Sequence, residues 1–224
     1  MGFQAALFIT GTDTGVGKTA VTAALAGLLR DSGVRVAAFK PVECAAPDDP
    51  RDSDLLAGAT GQEPPESVCV YSLPHPVAPA VAADIAGVQL EPSLILNRFH
   101  SLRRAHEAIL VEGAGGIMVP ITWRYSFLDL AADMQIPALI VARAGLGTIN
   151  HTLLTYLALV DRGVAVYAII LNGSPERAGL AENTNCDAVK RMTGFDRVFR
   201  LPQVPARETR IVAVSLKEHL KVLF

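Results

Sequence analysis

The densest run of potential chemistry in the chain is Gly11-Thr12-Asp13-Thr14-Gly15-Val16-Gly17-Lys18-Thr19. Its glycines let backbone N–H groups turn inward, and a helix opening at the lysine would add the positive end of its dipole. Lys18 supplies a compact charge for the β and γ phosphates of a nucleoside triphosphate, and Thr19 a hydroxyl oxygen for their magnesium ion. The strict spacing of such loops puts a glycine at position 12, where this chain has threonine, so the match is to a variant one residue longer that starts at Gly11. A plain strand-to-helix turn is the competing reading. The flanks favour the phosphate loop, because an apolar run over 5–10 precedes it and alanine and leucine recur at helical spacing over 20–29 behind it. Asp13, Thr14, Gly15, Val16, Gly17, Lys18 and Thr19 are therefore the residues expected around the nucleotide.

Magnesium held on phosphates takes a carboxylate or two besides a hydroxyl. Asp54 and Glu112 are the candidates, both placed after strands. Glu112 closes the apolar run 108–111 and precedes a stretch with three glycines, 113–116, which predicts a carboxylate at the sheet edge beside the phosphates. Asp13, Asp52 and Asp54 are all acidic and local, and an acidic first helical turn at Asp52 and Asp54 also fits ordinary capping. Lys40, one of five lysines, follows the apolar run 34–39 directly, with Pro41 fixing the backbone after it. At the carboxyl end of a strand it would face the same site; a snorkelling surface lysine is the alternative.

These residues need a scaffold, and the patterning supplies one. Apolar runs over 5–10, 34–39, 108–111, 138–142 and 164–171 read as strands, and periodic segments over 20–29, 52–61, 93–104, 126–134, 149–162 and 180–193 as helices. Residues 62–79 hold five prolines and should be extended or turning. A closing helix is expected over 209–224. Strand alternating with helix implies an α/β class: a mostly parallel central sheet flanked by helices on both faces, a P-loop NTPase fold, in one domain over 1–224. In such sheets ligands gather at the carboxyl ends of the strands, where the glycine-rich and polar segments fall.

Composition narrows the partners. Half of the 224 residues are hydrophobic and 19% are charged, which suits a sheet buried on both faces. A formal net charge of -2 without a dense Lys/Arg tract points away from nucleic acid and membrane surfaces, toward small-molecule chemistry. Three widely spaced cysteines suggest neither a disulfide framework nor a zinc site. With no basic, leader-like start and no run of membrane-spanning length, a cytoplasmic protein is expected.

Adding Phe39-Lys40-Pro41-Val42, Val111-Glu112-Gly113-Ala114-Gly115-Gly116, Gly145-Leu146-Gly147-Thr148-Ile149-Asn150-His151 and Asn172 in this order, the chain resembles dethiobiotin synthetase over nearly its whole length. The resemblance implies an ATP- and Mg2+-dependent ligase. Carbon dioxide adds to one amine of 7,8-diaminopelargonate, ATP phosphorylates the carbamate, and the second amine closes the ring with loss of phosphate. It implies a homodimer with substrate at the subunit interface. By the same resemblance Thr14 and Lys18 contact phosphates, Thr19, Asp54 and Glu112 hold magnesium, and Lys40 stabilises the carbamate and its phosphorylated form. Cys44 lies beside the carbamate, and the N–H groups from Gly147, Thr148 and Asn150 meet the substrate carboxylate. Asn172 and Pro202 line the adenine pocket, and His151 packs or caps. Where the family usually carries a small hydroxyl residue and glycine after Lys-Pro-Val, this chain has Cys44 and Ala45, and where some members place a tyrosine over the substrate carboxylate it has Asn183. The rival readings are another P-loop amido-ligase, a nucleotide switch of the partitioning or septum-positioning type, and an inactive paralogue. The switch reading calls for a second lysine early in the loop, where this chain has Asp13.

Overall fold

The computed structural model describes residues 5–203 and 212–216. Strand β1 (Ala5–Gly11) runs into the phosphate loop and helix α1 (Lys18–Asp31). Then come β2 (Val36–Cys44), α2 (Asp52–Thr60), β3 (Cys69–Leu73), α3 (Pro79–Ala86) and α4 (Pro92–Ala105). After β4 (Ala108–Gly116), a small hairpin of β5 (Pro120–Thr122) and β6 (Tyr125–Ser126) leads to α5 (Phe127–Met134). There follow β7 (Ala138–Arg143), α6 (Thr148–Asp161), β8 (Val166–Ser174), α7 (Leu180–Thr193) and β9 (Val198–Pro202).

Seven strands form one sheet in the order β3-β2-β4-β1-β7-β8-β9, every neighbouring pair parallel. Parallel strands need crossovers, and the helices that make them cover both faces, which is why the strands read as continuous apolar runs. Period-2 alternation divides each run between two cores. Phe8, Ile109, Val111, Ile140 and Ile169 join Phe99, Leu130, Leu159 and Val189 from α4, α5, α6 and α7. Leu7, Ile9, Leu110, Leu139, Val141 and Ile170 join Val21, Leu25 and Leu29 of α1 on the other face. The chain builds outward from β1 through β2 to β3, returns at β4, and crosses to β7 on the opposite flank. That reversal leaves a crevice at the carboxyl ends of β4, β1 and β7, where ligands bind in open α/β sheets.

Most predicted elements are present, with informative differences. The strand expected over 34–39 extends to Cys44, so Lys40 lies inside β2 rather than after it. The strand expected over 108–111 extends to Gly116, which pairs with Gly11 of β1. The proline-rich stretch holds the edge strand β3, and Pro79 opens α3 at its first turn, a position that needs no N–H. The hairpin and β9 had no strong apolar run to announce them. Of the closing helix expected over 209–224, residues 212–216 are helical, with Val212 and Leu216 buried against the α1 core; the rest lies outside the described residues. No described helix is long and apolar enough to cross a membrane.

Candidate active site

The phosphate loop is held by its own backbone and by two neighbouring strands. Gly15 and Gly17 take positive φ, and Thr12 N–H donates to the carbonyl of Val141 in β7. Lys18, buried at the first position of α1, bends back to donate from Nζ to the Asp13 carbonyl at 3.0 Å. Asp13 ties the loop down on its outer side, its carboxylate accepting from the Thr14 N–H at 2.7 Å and from Arg143 at 2.5 Å. The Thr14 N–H and, against the cost of burial, the Arg143 guanidinium hold the Asp13 carboxyl below the usual carboxylate range. Thr14 is exposed at the loop tip, and Val16 is buried beneath it.

Asn172, at the carboxyl end of β8, donates from Nδ2 to the Val16 carbonyl at 2.9 Å. The sequence reading assigned it to the adenine; in the structure its first contact is with the phosphate loop. A methyl group on Gly17 would overlap the Asn172 amide, at a φ of 96° that side chains rarely adopt. Gly17→Ala should weaken ATP binding by at least about 10-fold, because the loop or Asn172 must move and each such backbone penalty is worth ~1–3 kcal/mol. Calorimetric titration with ATP checks this, and unchanged affinity would refute it.

Glu112 is the hub. It is fully buried in the middle of β4, and its Oε1 accepts from the Thr19 hydroxyl at 2.9 Å and from Lys40 Nζ at 2.7 Å. Its Oε2 is buried with no hydrogen-bond partner among the described residues. Glu112 was expected to close its strand; β4 instead continues past it to Gly116, paired with β1, so the carboxylate stands within the strand and not at its end. Lys40, also buried, donates a second hydrogen bond to Asp52 Oδ2 at 2.5 Å. Burial opposes the charge on Lys40, but Glu112 and Asp52 outweigh it and raise its pKa above the usual lysine value. On Lys18 the balance is reversed: burial dominates, the nearby Lys40 charge adds to it, Glu112 only partly compensates, and the pKa falls to about 8. A buried lysine short of counter-charge is suited to receive a phosphate anion.

Asp52, not Asp54, completes this cluster. Both sit in the first turn of α2, but two residues along a helix turn side chains to different sides. Burial works to raise the Asp52 carboxyl, yet Lys40, the Thr19 hydroxyl and Lys18 together hold it below its ordinary value. Asp54 is exposed and lines a separate cavity of about 130 Å³ with Glu43, Arg51, Ser53, Cys69 and Ser72. The helical period alone could have warned that Asp52 and Asp54 cannot serve one site equally.

The remaining predicted residues sit around the same end of the sheet. Cys44 ends β2 half-buried, and burial keeps its thiol protonated with a pKa near 11. Gly147, at φ 91°, is the N-cap of α6, followed by buried Thr148 and exposed Asn150. Asn185, buried on α7, donates to the carbonyls of Ala144 at 2.8 Å and Gly145 at 3.1 Å and pins the approach to that helix. His151 neither packs nor caps: it is exposed on the first turn of α6, within electrostatic reach of Asp13. Pro202 ends β9, exposed, paired with Ser174. Asn183 is exposed and accepts from Arg200 at 2.8 Å. A larger cavity of about 700 Å³ lies at the opposite end of the sheet, by Val36 and His106. It is remote from this chemistry, and its Arg30 stands at the carboxyl end of α1, where a cation complements the helix dipole.

The residues present fit a magnesium ion. Two carboxylates and a hydroxyl converge, one buried carboxylate oxygen lacks a partner, and a hard cation would complete its shell with phosphate oxygens and water. No group of three or more His, Cys, Asp or Glu suited to a metal exists among the described residues.

A family model described as "AAA domain" matches residues 5–209. The chain is 46% identical over 200 residues to the ATP-dependent dethiobiotin synthetase of Anaeromyxobacter sp. (strain Fw109-5), covering 88% of this chain and 90% of that one. With the enzyme of the same name from Aquifex aeolicus it shares 43% over 199 residues, 88% of this chain and 89% of the other. Among solved structures, a putative plasmid partition protein of Borrelia burgdorferi bound to AMPPNP superposes with a TM-score of 0.63 at 13% identity, covering 98% and 96% of the two chains. At that identity the likeness speaks for the fold.

Proposed function

The chain belongs to the ATP-dependent dethiobiotin synthetase family, a family of ligases, and on that premise we propose how its site closes the ring of dethiobiotin. Carbon dioxide condenses with one amine of 7,8-diaminopelargonate to a carbamate, releasing a proton. A carbamate oxygen attacks the γ-phosphorus of ATP, giving a carbamic-phosphoric mixed anhydride and ADP. The second amine attacks the carbamoyl carbon and gives up a proton to solvent, and inorganic phosphate leaves with the anhydride oxygen. No enzyme nucleophile takes part. Each step gathers negative charge at one place, so catalysis consists of alignment and preorganised positive charge.

The observation that carries this reading is the shared oxygen of Glu112, which brings Lys40 and Thr19 to one point beside the Lys18 loop. Backbone N–H groups of 13–17 and Lys18 bind the phosphates, with Thr14 at the outer rim. Thr19, Asp52 and Glu112 would hold Mg2+, which would supply positive charge against the phosphates. Lys40 stands between the Asp52 and Glu112 carboxylates, where its ammonium would stabilise the carbamate and the anhydride oxygens. The Cys44 thiol flanks that position as a weak donor. N–H groups at the start of α6, from Gly147, Thr148 and Asn150, receive the substrate carboxylate. Asn172 and Pro202 border the adenine.

The same proposal includes a cytoplasmic homodimer. Leu154, Leu157 and Val160 on α6 and Leu146 just before it are exposed apolar residues, and free half-buried cysteines suit a reducing compartment. Protein mixed with diaminopelargonate, bicarbonate, Mg2+ and ATP should yield dethiobiotin, detected by mass, with ADP and phosphate in equal amounts. ATP consumption without that product would overturn the substrate assignment.

A further inference from the structure

Glu43 is a buried carboxylate, 3% exposed near the end of β2, without a lysine or arginine partner among the described residues, and the chemistry above does not use it. Such a group is costly to bury unless it is hydrogen-bonded. Both of its oxygens are engaged by one residue. The Ser53 N–H donates to Oε1 at 3.1 Å and the Ser53 hydroxyl donates to Oε2 at 2.5 Å.

Ser53 is the second residue of α2, whose first N–H groups have no intrahelical acceptor. The local N-cap, Arg51, contributes no side-chain cap. The cap comes instead from a strand ten positions upstream, and a carboxylate there also faces the positive end of the helix dipole. The residue it fixes is the immediate neighbour of Asp52, whose carboxylate meets Lys40.

The alternation along β2 makes this possible. Phe39 and Val42 both enter the core on one side of the sheet, so the period of two slips across Pro41. Lys40 and Glu43, three positions apart, thereby both reach the first turn of α2. One holds Asp52 by its side chain and the other holds the backbone that carries it.

We propose that Glu43 is a positioning residue for the metal and carbamate site: by capping α2 through Ser53 it sets where the Asp52 carboxylate stands relative to Thr19, Glu112 and Lys40. This rests on the reading of Asp52 as a carboxylate of the magnesium site. Groups that orient metal ligands in this indirect way typically change metal affinity by ~10–100-fold when removed.

The test is a cycle of Glu43→Ala, Asp52→Asn and the double variant, read by Mn2+ binding in electron paramagnetic resonance with a non-hydrolysable ATP analogue present. Glu43→Ala should weaken Mn2+ binding about 10-fold in the otherwise native chain and hardly at all in the Asp52→Asn background, since contacting residues that act as a unit are not additive. Glu43→Gln, which keeps an acceptor for the Ser53 N–H, should recover most of the affinity, and it serves as the second variant should the alanine chain not fold. If Asp52→Asn leaves Mn2+ affinity unchanged, the metal-site reading of Asp52 fails. If Asp52→Asn weakens binding while Glu43→Ala does not, or if the two effects add fully, Asp52 stands and the positioning role of Glu43 is overturned. A Glu43→Gln chain as impaired as Glu43→Ala would also overturn the capping argument.

Discussion

Lys40→Ala should abolish dethiobiotin formation, by at least ~10²–10³-fold, the loss typical of a single preorganised charge at a reacting anion, while the protein still binds ATP. Its second signature is structural. Among the described residues, Lys40 is the only ammonium hydrogen-bonded to Glu112, which is fully buried and has one oxygen with no partner there. Removing one member of a buried pair strands the other at a cost of about 3–5 kcal/mol. For a chain of this size that lowers the apo melting temperature on the order of 10 °C. Magnesium with ADP should restore much of the loss by supplying another cation to Glu112 and Asp52. Product by mass, ATP affinity by calorimetry and melting with and without Mg·ADP distinguish these effects. Retained dethiobiotin formation would remove Lys40 from the chemistry.

Lys18→Ala should eliminate turnover to a similar or greater extent, with the opposite stability signature. Burial already works against the charge of Lys18, whose pKa stands at about 8 against an ordinary 10.5. Between those values the unfolded chain holds a proton that the native chain has shed, so stability rises with pH through that window; below about 8 the native state carries the full penalty. At pH 7 the alanine variant therefore loses ATP binding and turnover without the drop in melting temperature expected for Lys40→Ala. What it gives up in the apo protein is one hydrogen bond to the Asp13 carbonyl. A variant that melts far lower than the native chain, or that binds ATP with native affinity, would contradict this account.

The two lysines also measure how far the sequence could be read. Their membership in one site was legible from their places beside apolar runs in an alternating α/β pattern. Their contrasting electrostatics was not, because it depends on how many carboxylates each meets. Glu112 and Asp52 lie 72 and 12 positions from Lys40 in the chain, and only the crossover from β2 through α2 to β4 brings them together.

Local patterning determined a good deal without help from tertiary structure. The glycines and lysine of 11–19 between a strand and a helix, the parallel alternation, and the segments around Lys40, Glu112, Gly147 and Asn172 each carry their meaning in a few consecutive residues. What the folded chain alone decided were choices between near neighbours: Asp52 over Asp54, Asn172 against the phosphate loop, His151 exposed, and Glu43 reaching across to Ser53 to cap α2. Propensity and spacing say which residues share an element. Which of two adjacent side chains points into a crevice is set by helical phase and strand register, and those are fixed by packing against elements far away in sequence.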